Sequence, residues 1–518
     1  MLLQAQSPKP GLSAKAKAQI DSVRRAVAEF ADPRVAEDSG YEPVFGLIPL
    51  QGVHYVRSDL IKGGKFDLTK PPVLGAPKAL TLPDVVARTL PNGLRLLVVE
   101  QHELPLADFV LVAKSGGETD EPGKLGTATL ATSLLKEGTT TRNSLQIADQ
   151  EAFLGVDIFA NSGWDATTVQ LHTPTAQLDS ALSLFADIAL HPAFPPAELE
   201  RLRKNRLTSL LQVKDRAPEI ANRAFAAIVF GSAAYGHPLT GDEASTNAIQ
   251  QADVRRFYDT YFRPNNATLL VVGDVKPDDV ERRARALFGG WERGTVPPAN
   301  YGQPATGKGT TIYLVDKPGA AQSSFRIGGV GVSRTTPDYF PLTVMNTALG
   351  GSFTSRLNQN LRETKGYTYG ASSGFAMRRT PGPFIASAEV VAAKTDSALI
   401  EFMKEIRAIR DTIPRDELEK TKRYLQLQLP GRFETTGGIA GQLAGLVPYD
   451  VPLDFYNGYT QGIAAVTQAE AQRVARQYLD PDKLAIVIVG DRKSIEPTLK
   501  ATKVGDVVVV DIAGRPAM

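Results

Sequence analysis

The residues 123–139 read GKLGTATLATSLLKEGT, and their pattern predicts a short helix closed by Gly138. Thr129, Thr132 and Ser133 stand at i, i+3 and i+4, so three hydroxyls share one helical face. A helix that held zinc would carry imidazoles and a carboxylate at that spacing. Neutral alcohols, with pKa values far above neutrality, do not replace those ligands. The chain has no cysteine and five histidines, His54, His102, His172, His191 and His237. The nearest two, His172 and His191, lie nineteen positions apart, so no helix presents two imidazoles at i, i+4. A metal site gathered from distant loops stays open. The alternative for each lone histidine is a structural hydrogen bond.

The remainder of the chain sets the frame for that helix. A length of 518 residues suffices for several domains, each with its own core. A net charge of +2 with 22% charged residues lacks the basic field that nucleic acid requires. No apolar run approaches the roughly 18 residues of a membrane span; ATLLVVG and LAIVIVG are strand-length. MLLQAQSPKP is too short and polar for a secretory signal, although a trimmed signal leaves such an end.

Four prolines between Asp67 and Asp84 predict a linker. A helix is expected before it, near AKAKAQIDSVRRAVAEFA. Beyond it, Asn92-Gly93 predicts a turn that feeds a strand. The chain then repeats itself. ATLLVVGD (267–274) returns as LAIVIVGD (484–491), with Gly273 and Gly490 in register. At the same spacing Tyr261 pairs with Tyr478 and Pro264 with Pro481, while PPAELE (195–200) returns as PRDELE (414–419). The predicted fold class is therefore α+β, built from two tandem homologous domains. The expected boundaries are an extension and linker at 1–84, domains at 85–291 and 310–518, and a Pro/Gly-rich linker at 292–309. A cleft between the halves, closing like two valves, is the expected ligand site.

Taken together, NGLRLLVVE, GTATLATSLLKEGT, EAFLGVDIFANSGWDATTVQL, YGHPLTGD, YFRPNNATLLVVGDV and GGSFTSRLNQNLRETKGYTYG resemble the M16 (pitrilysin-like) peptidase family. The resemblance covers roughly residues 85 to 512 and is to the small two-domain form whose members pair as heterodimers. It implies two M16-type domains forming one half of a clam-shell. In the family an inverted motif, His-x-x-Glu-His, binds zinc with a further Glu from a later helix. Here Thr129, Thr132 and Ser133 fall on the first motif, and Ser209 falls on the distal ligand. The resemblance thus implies a degenerate zinc motif and no metal in this chain.

The resemblance also implies roles for residues that remain. Arg362 and Tyr369, in LRETKGYTYG, match an Arg/Tyr pair of the family's C-terminal domains that reaches the scissile peptide. A guanidinium and a phenol can donate hydrogen bonds to a carbonyl oxygen as it becomes an oxyanion. The alternative is a solvated helix arginine and a core tyrosine. Asn161 and Ser162 fall on a strand that family members pair with substrate, so they could anchor peptide by strand addition. A strand ending in a polar turn is the other reading. Gly350-Gly351 reads as a tight turn, without a phosphate fingerprint.

The expected function is the non-zinc subunit of a heterodimeric peptidase. The zinc-bearing subunit is its partner, zinc is the partner's metal, and peptide is the substrate, with no nucleic acid and no membrane span. The alternative is a non-catalytic peptide-binding or scaffolding protein. A self-sufficient hydrolase lacks a G-x-S-x-G elbow and an evident base. GYEPV, GVHYV and KPPVL resemble a small module of exported bacterial proteins, so a periplasmic or extracellular location is expected.

Overall fold

The computed structural model describes residues 82–516, apart from 306 and 308. The predicted N-terminal helix, most of the first linker, His54 and the segments that suggested export lie outside the described residues.

Two six-stranded sheets organise the rest. The first has the order β1-β2-β6-β3-β5-β4 and the second β12-β7-β11-β8-β10-β9. The first comprises β1 (Val85–Thr89), β2 (Arg95–Glu100), β3 (Leu106–Ala113), β4 (Asp157–Ser162), β5 (Thr167–Pro174) and β6 (Ala267–Gly273). The second comprises β7 (Thr311–Asp316), β8 (Gln322–Val330), β9 (Thr368–Phe375), β10 (Pro383–Val391), β11 (Ala485–Gly490) and β12 (Asp506–Val510). The repeated segments β6 and β11 occupy the third place of their sheets. Every residue of β6 is buried, as a continuous apolar run in a central strand requires. Edge strands β1 and β12 were not expected from the sequence. One precedes its sheet in the chain and pairs antiparallel with β2, and the other follows and pairs parallel with β7.

Eight helices position the site. They are α1 (Thr127–Leu134), α2 (Pro196–Val213), α3 (Ala217–Phe230) and α4 (Gln251–Tyr261) in the first half. In the second half they are α5 (Tyr339–Asn346), α6 (Arg415–Gln428), α7 (Thr436–Ala444) and α8 (Gln468–Tyr478). The repeat is visible again: α1 packs on α2 and α4, and α5 packs on α6 and α8.

The expected cleft between the halves is filled, and the valve-like closure of one half on the other is corrected by this. α3 of the first half lies on β8 and β11 of the second sheet, and α7 of the second half lies on β3 and β6 of the first. Strand alternation makes the exchange possible. Leu269 and Val271 face the first half's own helices, whereas Leu270 and Val272 join a core that includes Ile439 and Leu443 of α7. Likewise Val487 and Val489 meet Ile220, Phe225 and Val229 of α3. Each half thus completes the other's core. The linker at 292–309 is pinned along this seam, with the Tyr301 carbonyl accepting from the Ala234 amide at 2.9 Å and the Ala305 amide donating to Val229 at 3.1 Å. Ile220→Val, which removes one methylene group from the seam, is expected to cost about 0.5–1.5 kcal/mol, read as a lower urea midpoint with an unchanged slope.

Candidate functional site

The helix α1 begins without a capping side chain of its own. Gly126, at φ 89°, turns the chain into it, and a Cβ there would stand 2.4 Å from the Thr240 carbonyl oxygen. The Asp120 carboxylate accepts from the Gly126 amide at 2.6 Å and the Ala128 amide at 2.9 Å, so it satisfies the first turn. Burial nevertheless pushes Asp120 up to about 7 against those amides and against Arg206.

The four hydroxyls on the degenerate motif are all used by their own helices. Thr129 Oγ1 donates to Gly126 at 2.9 Å, Thr132 Oγ1 to Ala128 at 2.8 Å and Ser133 Oγ to Thr129 at 2.9 Å. On α2, Ser209 Oγ donates to Asn205 at 3.0 Å. Sequence reasoning missed the group that lies among them. Arg206 reaches from α2 to donate to Thr129 Oγ1 at 3.0 Å and to the Gly126 carbonyl at 2.8 Å. Burial pulls its pKa down to about 10, with Asp120 acting in the opposite sense. A guanidinium cation therefore occupies the α1–α2 contact, and the residues here do not fit zinc. No group of three or more His, Cys, Asp or Glu among the described residues could hold a metal. His102 pairs with Asp274 at 2.7 Å, His172 with Asp108 at 3.0 Å and His237 with the Pro238 carbonyl at 3.0 Å, each a structural contact.

α1 lies against β4, which among the described residues is an edge strand of the first sheet. Asn161 is exposed on that strand. Ser162 is buried, and its Oγ sits 3.0 Å from Thr167 Oγ1 inside the β4–β5 hairpin. Its side chain is thus turned inward, and this strand offers a peptide its edge backbone and the exposed Asn161 side chain.

Arg362 and Tyr369 are joined through one turn in the second half. A widened helical turn, Gln359–Thr364, carries Arg362, and its carbonyl accepts from the Gly366 amide at 3.0 Å just before β9. The Arg362 guanidinium rests 4.4 Å from the Phe353 ring centroid and 3.2 Å from Glu363. Its Nη1 is hidden and makes no well-directed hydrogen bond. Tyr369 is 91% exposed on β9, the open edge of the second sheet, which excludes the core-tyrosine reading. Gly350 approaches β9 so closely that a Cβ would stand 2.3 Å from the Ser373 amide nitrogen.

A second polar cluster lies between the halves, and no motif beyond the Trp164-Asp165 dipeptide announces it. Buried Asp165 accepts from Tyr235 Oη at 2.7 Å, Tyr301 Oη at 3.3 Å and the Arg379 amide at 3.1 Å. Arg378 stacks on Trp164 at 4.8 Å and on Tyr235 at 4.5 Å. Buried Glu118 accepts from the Gly116 amide at 2.7 Å. Burial first, and the charge of Asp165 second, push Glu118 up to about 8.

Glu118 and Asp120 are both raised, so the folded chain holds protons that the unfolded chain releases near the ordinary carboxylate range. Their contribution to stability is greatest at low pH and is lost as pH rises towards about 8 and about 7 respectively. Glu118→Gln is expected to flatten this decline, by on the order of 1.4 kcal/mol per pH unit across its window. Melting temperatures of both proteins between pH 5 and 9 test it, and parallel curves refute it.

Comparison with known proteins bears on these residues. A family model described as insulinase (peptidase family M16) matches residues 95–243, and one described as peptidase M16 inactive domain matches residues 248–425. An uncharacterized zinc protease of Streptomyces coelicolor is 27% identical over 296 residues, which are 56% of this chain and 64% of that protein. The match thus spans slightly less than two thirds of that relative's length. An uncharacterized zinc protease of Rickettsia bellii is 23% identical over 66% of this chain and 82% of its own. Among solved structures, a peptidase M16 inactive domain from Pseudomonas fluorescens superposes with a TM-score of 0.74 at 26% identity, over 79% of this chain and 98% of that one. A protease from Helicobacter pylori shares the fold at a TM-score of 0.73 and 20% identity, over 79% of this chain and 100% of its own.

Proposed function

This chain belongs to peptidase family M16, and from that premise we propose that it is the zinc-free subunit of a two-chain peptidase. The observation that carries the reading is the exposure of Tyr369, 91% free on an edge strand, in a chain whose α1–α2 contact is filled by Arg206. A large phenol left in water on a rigid strand contributes nothing to this chain's own core. Beside a substrate it can donate its O–H to the scissile carbonyl oxygen, and Arg362 can swing from Phe353 to donate alongside it. Tyr369 is held on a strand, as a positioned donor must be, whereas Arg362 has to leave Phe353 to join it. Peptide binding is supported by the two open edges, β4 and β9, which offer unpaired backbone groups for strand addition. Asn161 stands at one edge and Tyr369 at the other.

The partner in this reading is a zinc-bearing M16 subunit, whose intact His-x-x-Glu-His motif would supply the metal and the base. The test is hydrolysis of a quenched-fluorescence peptide library by the purified chain, alone and mixed with such a subunit. No cleavage alone and chelator-sensitive cleavage in the mixture is the expected result. Chelator-sensitive cleavage by the chain alone, with contaminating peptidases excluded, would overturn it. A mixture no faster than the zinc subunit by itself would leave peptide binding without chemistry as the function.

A further inference from the structure

The repeat places α5 and α6 where the first half has α1 and α2, yet the two contacts are filled differently. Between α1 and α2 the space is closed by Arg206 and hydroxyls. Between α5, α6 and the far end of β9 a cleft of about 410 Å³ remains. Arg334 and Arg432 both line it, and no lining side chain is acidic. The Arg334 guanidinium is held 4.3 Å from the Tyr339 ring centroid and 4.6 Å from that of Phe455. The nearby carboxylate of Asp338 is already engaged, accepting from Arg473 Nη1 at 3.1 Å and from Tyr478 Oη at 2.8 Å. Burial raises the Tyr459 phenol's pKa, and the charges of Arg432 and Arg334 act in the opposite sense. Two guanidinium groups facing one cleft repel each other, and a bound anion relieves that repulsion. Leu342, Phe375, Met377 and Leu425 form an apolar part of the remaining wall, and Asn346 and Gln428 belong to a polar part.

We infer that this cleft binds a small organic carboxylate with an apolar or aromatic body, about the size of an N-acylated amino acid. The guanidinium groups suit a planar carboxylate, to which arginine donates two parallel hydrogen bonds. The volume suits a ligand larger than a bare ion. Phosphate satisfies the charges but leaves the apolar wall empty. An uncharged amide of the same body fills the wall but leaves the cations unpaired. The site thus demands both parts of the ligand, and it lies on the strand that carries Tyr369.

The test is calorimetric titration of the full chain at low ionic strength with N-acetyl-L-phenylalanine, its primary amide and inorganic phosphate. Saturable binding of the acid, at least tenfold tighter than either control, is expected. Arg432→Gln, at an exposed position, should weaken the acid at least tenfold while leaving the melting temperature unchanged. Arg334→Lys keeps a positive charge but loses the planar donor pair, and it should weaken the acid as well. Equal binding of acid and amide, equal binding of acid and phosphate, or an Arg432→Gln protein that binds normally would each overturn the inference. Absence of any binding would overturn it too. No partner subunit enters the measurement, so its failure leaves the proposed function untouched.

Discussion

Tyr369→Phe, assayed in the reconstituted two-chain peptidase, is expected to lower kcat by about 10²–10³, the usual effect of removing one oxyanion donor, while KM changes little. The reason is geometric. The phenol ring stands free of the core, so deleting its oxygen disturbs no packing and no internal hydrogen bond. Phe keeps the ring and hence any stacking with substrate. What is lost is a single O–H, which matters only when charge develops on the carbonyl oxygen. A loss made in the transition state alone lowers kcat and kcat/KM together. An unchanged kcat would remove Tyr369 from the chemistry, and a rise in KM alone would make it a substrate-binding group. The melting temperature of the variant should equal that of the parent, which separates this outcome from damage to the fold.

Asp165→Ala is expected to cost about 3–5 kcal/mol of stability, as removal of one partner from a buried charged network does. The carboxylate is buried and serves Tyr235, Tyr301 and the Arg379 amide, groups drawn from the first half, the linker and the second half. Its removal leaves those donors without an acceptor and strips a counter-charge from Arg378, whose pKa burial already lowers. Asp165→Asn keeps an acceptor and loses only the charge, so its cost should be smaller. The effect should also depend on Glu118, since Asp165 helps to raise that carboxyl. In a double-mutant cycle the effects of Glu118→Gln and Asp165→Ala should therefore not add. Urea unfolding supplies the numbers. A loss under about 1 kcal/mol, the worth of an ordinary hydrogen bond, would mean that the network does not hold the halves together.

The sequence made the repeat legible, because a buried strand, a proline turn and a helix recur at one spacing and leave the same apolar signature twice. Gly273 and Gly490 do end matching strands, and α4 and α8 do start at Gln251 and Gln468. The hydroxyls shared by one face of α1 were legible as well, since residue type and spacing are read directly from the chain. Arg206 was not. Its helix is rich in arginines, and only the three-dimensional approach of α1 distinguishes the buried one from its solvated neighbours. Ser162 shows the opposite error: the residue type suited a substrate contact, but strand alternation turned its hydroxyl inward. The filled seam was also hidden, because periodicity reveals that a helix has an apolar face and never which sheet that face covers.

That seam has a consequence for how the protein is made. As the chain leaves the ribosome, the first sheet can assemble once β6 has emerged, but the helix that covers Leu270 and Val272 ends at Ala444. Until then the nascent sheet presents a bare apolar face in the crowded cell. α3 waits in the same way for β11, which ends at Gly490. The early half alone is therefore expected to be aggregation-prone, and a ribosome stalled between the two domains would release such a product. Expressed as two separate polypeptides, the halves should be insoluble singly and soluble together.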